Sequence, residues 1–97
     1  MRRKFNVKVE HEIIVVLREE AFTSDFMQGF RENFFSFDDV HEHAEHIGRL
    51  LACGIMGDVG RGYGHDQFVE GYGRIGDFVT AATIDGTDTS STMAAEA

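Results

Sequence analysis

The chain has 97 residues, with 17 acids against 9 bases and a formal net charge of −8. This length makes one domain with one small core, and nine Phe without Trp or Pro make that core aromatic and aliphatic. One cysteine, Cys53, excludes an internal disulfide, and no apolar run approaches the ~20 residues of a membrane span.

Residues 4–18, KFNVKVEHEIIVVLR, alternate with period two and predict β structure. Phe5, Val7, Val9, Ile13, Val15 and Leu17 share one face with His11, while Asn6, Lys8, Glu10 and Glu12 lie opposite. One long strand bending near residue 11 and a hairpin at Glu10–Glu12 both fit. The absence of Gly or Asn there favours the strand. The basic start runs into alternation rather than a hydrophobic stretch, which does not read as a signal peptide and points to the cytoplasm.

The period changes at 23–35, TSDFMQGFRENFF. Phe26, Phe30 and Phe34 recur every four residues beside Met27, giving one apolar helix face. Thr23, Ser24 and Asp25 all suit an N-cap, and Gln28 resembles the reciprocal partner of a capping box on Asp25. A second helix is predicted over 36–54, SFDDVHEHAEHIGRLLACG, capped by Ser36 or Asp38. Val40, Ala44, Ile47, Leu50 and Leu51 form its buried stripe, and Gly54 suits a left-handed C-terminal position. Cys53, in the last turn, reads as a small core residue rather than a nucleophile.

Residues 54–76 hold eight of the eleven glycines. GDVGRGYGH is a loop, and DQFVEGY and DFVTAATID read as short strands joined by GRIG. From 87 to 97 there is no periodicity and little bulk, which predicts a flexible tail after a single domain over 1–86. The expected fold is α+β, in the order β-α-α-β-β: a small antiparallel sheet of about three strands with two helices packed on one face.

Three constellations could carry chemistry. GYGRIG, 71–76, has the G-x-G-x-x-G spacing of a dinucleotide loop. That loop needs a helix opening at its third glycine and a further parallel strand, a unit of about 30 residues. Only 21 residues follow Gly76, and FVTAATI is β-branched, so the glycines are expected to serve turns and close packing. No cofactor is implied.

HEHAEHIGR, 41–49, carries three His in six positions. On a helix Asp39, His43 and His46 fall along one side, a plausible Asp/His/His set for Zn or Fe and the basis of an alternative reading as a small metal-binding or metal-dependent enzyme domain. The H-E-x-x-H spacing is absent, His43 flanks the apolar stripe as a boundary side chain, and a solvated helix face accounts for the cluster. No Ser/His/Asp or Cys/His order and no Walker, kinase or EF-hand motif occurs, so the chain is not expected to be an enzyme.

The third constellation is the acids. Arg2, Arg3, Lys4 and Lys8 place four bases in the first eight residues, where there is no acid; the remainder has 5 bases against 17 acids, a net of −12. Direct phosphate binding is not expected of such a body, whereas basic protein surfaces attract it. Asp38, Glu42 and Glu45 group on the second helix, Glu10 and Glu12 on one strand face, and Tyr63 stands in the glycine loop. These are the candidate partner contacts, and Glu10 and Glu12, about 7 Å apart along the strand, are spaced on the scale of neighbouring phosphates.

The stretch HAEHIGRLLACG, a glycine loop and FVEGYGRIGDF, within residues 22–80, resembles short proteins of phage and prophage genomes. The resemblance is one of class and carries no residue roles. It implies a small acidic binding protein of the anti-CRISPR inhibitor type. Its partner would be a host protein or ribonucleoprotein complex with a basic nucleic-acid groove, which it would occlude without touching nucleic acid or membrane. A self-assembling phage accessory protein is the other alternative, with monomer and dimer both open.

Overall fold

A computed structural model describes residues 2–93. Strand β1 spans Phe5–Leu17, helix α1 Ser24–Asn33, helix α2 Val40–Ala52, the two-residue strands β2 and β3 Phe68–Val69 and Gly73–Arg74, and strand β4 Val79–Met93. The fold is α+β, with two helices and antiparallel strand pairs. The strands form two separate two-stranded sheets, β1–β4 and β2–β3, rather than one sheet of three.

β1 is a single strand with no turn at Glu10–Glu12, and its ladder with β4 has a register shift between Glu12 and Ile13. Glu12 pairs Gly86 and Ile13 pairs Ile84, leaving Asp85 as the extra residue of a β-bulge. A second shift falls between Val16 and Leu17.

The expected tail is replaced in part by structure. Residues 87–93 continue β4 and pair with β1 as far back as Phe5, so the boundary drawn at 86 lies inside a strand. Their Thr and Ser side chains are small and, through residue 91, exposed, so no alternation marks them. The ladder on β1 is what makes them a strand. Residues 94–97, the rest of that tail, lie outside the described residues.

α1 is capped by Thr23, whose hydroxyl accepts the Phe26 amide. Gln28 does not reach back to Asp25; its amide donates to Glu32. α2 is capped by Asp39, not Ser36 or Asp38. The Asp39 carboxylate accepts the Glu42 amide at 2.9 Å, and the Glu42 carboxylate accepts the Asp38 amide at 3.0 Å. Gly54 closes α2 with φ +75°.

α2 packs on β1 and β4 with Ile47 and Leu51 inward, and Gly48 faces Val15 and Ile13. α1 joins through Met27 and Phe30. The core is completed by Phe22, Met56, Val59, Val69, Tyr72, Ile75, Val79 and Ala82. Phe34, expected on the buried stripe, is the α1 C-cap and is exposed. Cys53, expected in the core, is the exposed C-cap residue of α2.

Beyond the body, residues 5–12 of β1 and 86–93 of β4 project as a bare ribbon, about 27 Å long at ~3.4 Å per residue. The radius of gyration is 17.1 Å. A compact chain of this length has about 13 Å. Among the described residues, no helix is long and apolar enough to cross a membrane.

Candidate functional site

The ribbon has two unlike faces. The inner face carries Phe5, Val7, Val9 and His11 and continues into Ile13 and Val15 under α2. His11 Nδ1 lies 3.0 Å from the Thr87 hydroxyl across the strands. The outer face carries Asn6, Lys8, Glu10 and Glu12, then Ile14 and Val16, and all six are exposed.

Glu10 stands directly opposite Asp88, with Glu12 two residues along and Asp85 in the adjacent bulge. Lys8 Nζ lies 3.0 Å from Glu10 Oε1, and both ends of this pair are solvated, so it contributes at most about 1 kcal/mol. Cross-strand like charges such as Glu10 and Asp88 oppose the pairing. The outer face is therefore a cluster of acids beside two exposed branched aliphatics, on the side of the sheet that α2 does not cover.

The helix acids are placed differently. Asp38 and Glu42 are tied into the α2 cap, and Glu42 is half-buried. Glu45 is exposed, with its carboxylate 2.7 Å from His41 Nε2. The three do not form one free acidic face. Tyr63 is exposed in the glycine loop, its ring lying against Gly60, where a Cβ would collide with it.

The Asp/His/His set is not brought together as a ligand set. Asp39 caps α2. His43, expected at the boundary, is fully buried, and its Nδ1 lies 2.8 Å from the Tyr72 hydroxyl. Its ring sits among Phe22, Phe26, Phe30 and Phe37 at centroid distances of 4.6 to 5.8 Å. Burial pushes the His43 pKa below its ordinary 6.5, helped by the neighbouring His46. Burial pushes the Tyr72 phenol up. His43 Nε2 has no hydrogen-bond partner among the described residues. His46 is half-buried beside Phe35 and Phe37, and burial, then Arg49, lowers its pKa as well. Among the described residues no three His, Cys, Asp or Glu side chains are placed to hold a metal ion.

The glycine trio turns a corner. β2 before it and β3, which begins at its second glycine, pair antiparallel, and the third glycine sits inside a three-residue 3-10 turn, Ile75–Asp77, that leads into β4. Gly71 has φ +94°, and a Cβ there would meet Phe30 Cε2 at 2.7 Å. Gly76 lies so close to His65 that a Cβ would meet its Cβ at 2.6 Å. These are packing constraints on the aromatic core and its edge.

Asp85, Asp88, Ile14 and Val16 were not singled out by sequence. The signal for the last two is the unbroken run Ile13-Ile14-Val15-Val16-Leu17, which departs from strict alternation and gives both sheet faces apolar groups. No family model, curated protein or solved structure matches the chain.

Proposed function

We propose that the protein is a binding module rather than an enzyme, and that it acts as a phage-type inhibitor of the anti-CRISPR kind, occluding a basic nucleic-acid-binding surface of a host complex. The observation that carries this reading is the outer face of the β1–β4 ribbon. There Glu10 and Asp88 oppose each other next to Glu12, beside the exposed side chains of Ile14 and Val16.

The acids gain little for the fold by this placement, because like charges across a strand pair repel and the solvated Lys8–Glu10 pair contributes at most about 1 kcal/mol. A basic partner would neutralise them, and the field of the acidic body would speed its approach. Ile14 and Val16 supply apolar area that charge alone lacks, giving the mixture of an apolar centre and a polar rim found at protein interfaces. Glu45 and Tyr63 lie exposed elsewhere on the surface, while Asp38 and Glu42 serve the helix.

The test is affinity capture of the host complex followed by competition. Nucleic acid added to the captured complex should displace the protein, and saturating protein should block nucleic-acid binding. A complex that binds nucleic acid unchanged when saturated with the protein would refute occlusion.

A further inference from the structure

The inner face of the ribbon poses a separate problem. Phe5, Val7 and Val9 are 54%, 59% and 51% exposed in a row along one strand. A two-stranded ribbon alone is marginal in water, and a projecting apolar stripe is a contact surface. The arm cannot fold back on its own body, because it is the uninterrupted continuation of β1.

Immediately after His11 the same strand face runs into an open groove of about 480 Å³ between β1 and α2. Ile13 and Val15 form one wall, and Ala44, Gly48 and Ala52, spaced by four along α2, form the other. Those small side chains leave room for branched ones. Glu45 and Arg49 also line the groove.

Charge identifies the occupant. The first eight residues carry Arg2, Arg3, Lys4 and Lys8 and no acid, while the body outside the ribbon, residues 13–85, has 13 acids against 5 bases, a net of −8. The arm of one copy is therefore attracted to the body of another.

We propose that the chain forms a two-fold dimer by reciprocal arm docking. Phe5, Val7 and Val9 of each copy fill the β1–α2 groove of the other, and Arg2, Arg3 and Lys4 reach the acidic body beside it. Arm and groove are successive stretches of one strand face. Two copies laid antiparallel thus match arm to groove twice, with His11 near the axis, which closes the assembly. This inference is independent of the inhibitor reading: it uses the inner face, leaves Glu10, Glu12, Ile14 and Val16 free, and needs no host partner.

The test is the mass of the purified full chain by analytical ultracentrifugation across a concentration series. Wild type should reach twice the single-chain mass of 10.9 kDa. Val7→Asp with Val9→Asp should be monomeric. Ala52→Arg, at an exposed helix position that tolerates Arg, should block the groove and also give monomer. Arg2→Glu, Arg3→Glu and Lys4→Glu together should weaken the dimer by about tenfold or more at low salt, and less at high salt. Each variant's far-UV circular dichroism confirms that the body is folded. Wild type of single-chain mass at every concentration overturns the proposal. So does a dimer of unchanged affinity in both the arm and groove variants, or a mass that grows past two chains. Glu10→Lys with Glu12→Lys should leave the mass unchanged, so failure of the inhibitor reading is told apart from failure of the dimer.

Discussion

His43 Nδ1 and the Tyr72 hydroxyl meet at 2.8 Å in the middle of the aromatic core, 29 residues apart in sequence. This contact links α2 to the glycine-rich segment, and it satisfies one of the two polar nitrogens that α2 buries there. Tyr72→Phe leaves His43 with neither nitrogen bonded and should destabilise the fold by about 1–3 kcal/mol. Adding His43→Leu should restore much of that loss, since replacing both partners by apolar groups is far less costly than orphaning one. Urea unfolding of the three variants checks this. A double variant no more stable than Tyr72→Phe would contradict it.

The same burial makes stability depend on pH. Burial lowers the His43 pKa in the folded protein from its ordinary 6.5. Between that value and the lowered folded one, the unfolded chain binds a proton that the folded chain does not. The contribution is thus fully present above about 6.5 and is lost as pH falls below it. His46, lowered in the same direction, adds to the effect. Urea midpoints at pH about 7.5 and about 5.5 should drop for wild type and drop less for the His43→Leu/Tyr72→Phe variant. Equal drops would place the dependence elsewhere.

Gly71 and Phe30 should be energetically coupled. Phe30 is 2% exposed, and truncation to Ala should cost about 3–5 kcal/mol. Gly71→Ala meets both a positive φ and the Phe30 ring, and should cost about 1–3 kcal/mol. With Phe30 already Ala, the collision vanishes and only the backbone cost remains, so the double variant should lose less than the sum of the singles. Strict additivity in denaturation would show that the ring yields freely.

Ending the chain at Gly86 removes the partner of residues 5–11 but leaves Val79, Ala82 and the Val59–Ala82 bridge in place. Hydrogen exchange should show lost amide protection over 5–11 and retained protection in α2 and at residues 13–17. Global unfolding of the truncated chain would mean that the ribbon supports the core.

Local features were the legible ones. The strand over 5–17 was readable from alternation, and Phe26 and Phe30 from their spacing of four, because burial on one face writes a period into the sequence. Gly54 was readable because a helix end needs a left-handed residue. What failed depended on distant partners. His43 looked like a boundary residue because Tyr72, Phe22 and Phe37 close over it from other elements. Residues 87–93 looked like tail because Thr87 to Thr92 are all short polar residues with no alternation, and only pairing with β1 makes them a strand.

The candidate site followed the same division. Glu10 and Glu12 were placed on one face by parity alone, and the structure keeps them there. Asp88 joined them only through the register of a nonlocal ladder. Glu42 left the site because the cap uses its carboxylate, a role open to several acids at the start of α2.

The most direct test of the acidic ribbon as the working surface is Glu10→Lys with Glu12→Lys, measured for both stability and partner association. Lys at position 10 faces Asp88, turning a repulsive cross-strand pair into an attractive one, but it loses the solvated Lys8 pair, so stability should change by less than about 1 kcal/mol. Association with the captured host complex should slow markedly at low salt, with the difference from wild type shrinking as salt is raised. A fold left nearly unchanged and a slowed association are the expected result. Association as fast as wild type at low salt would contradict the claim that this face makes the contact.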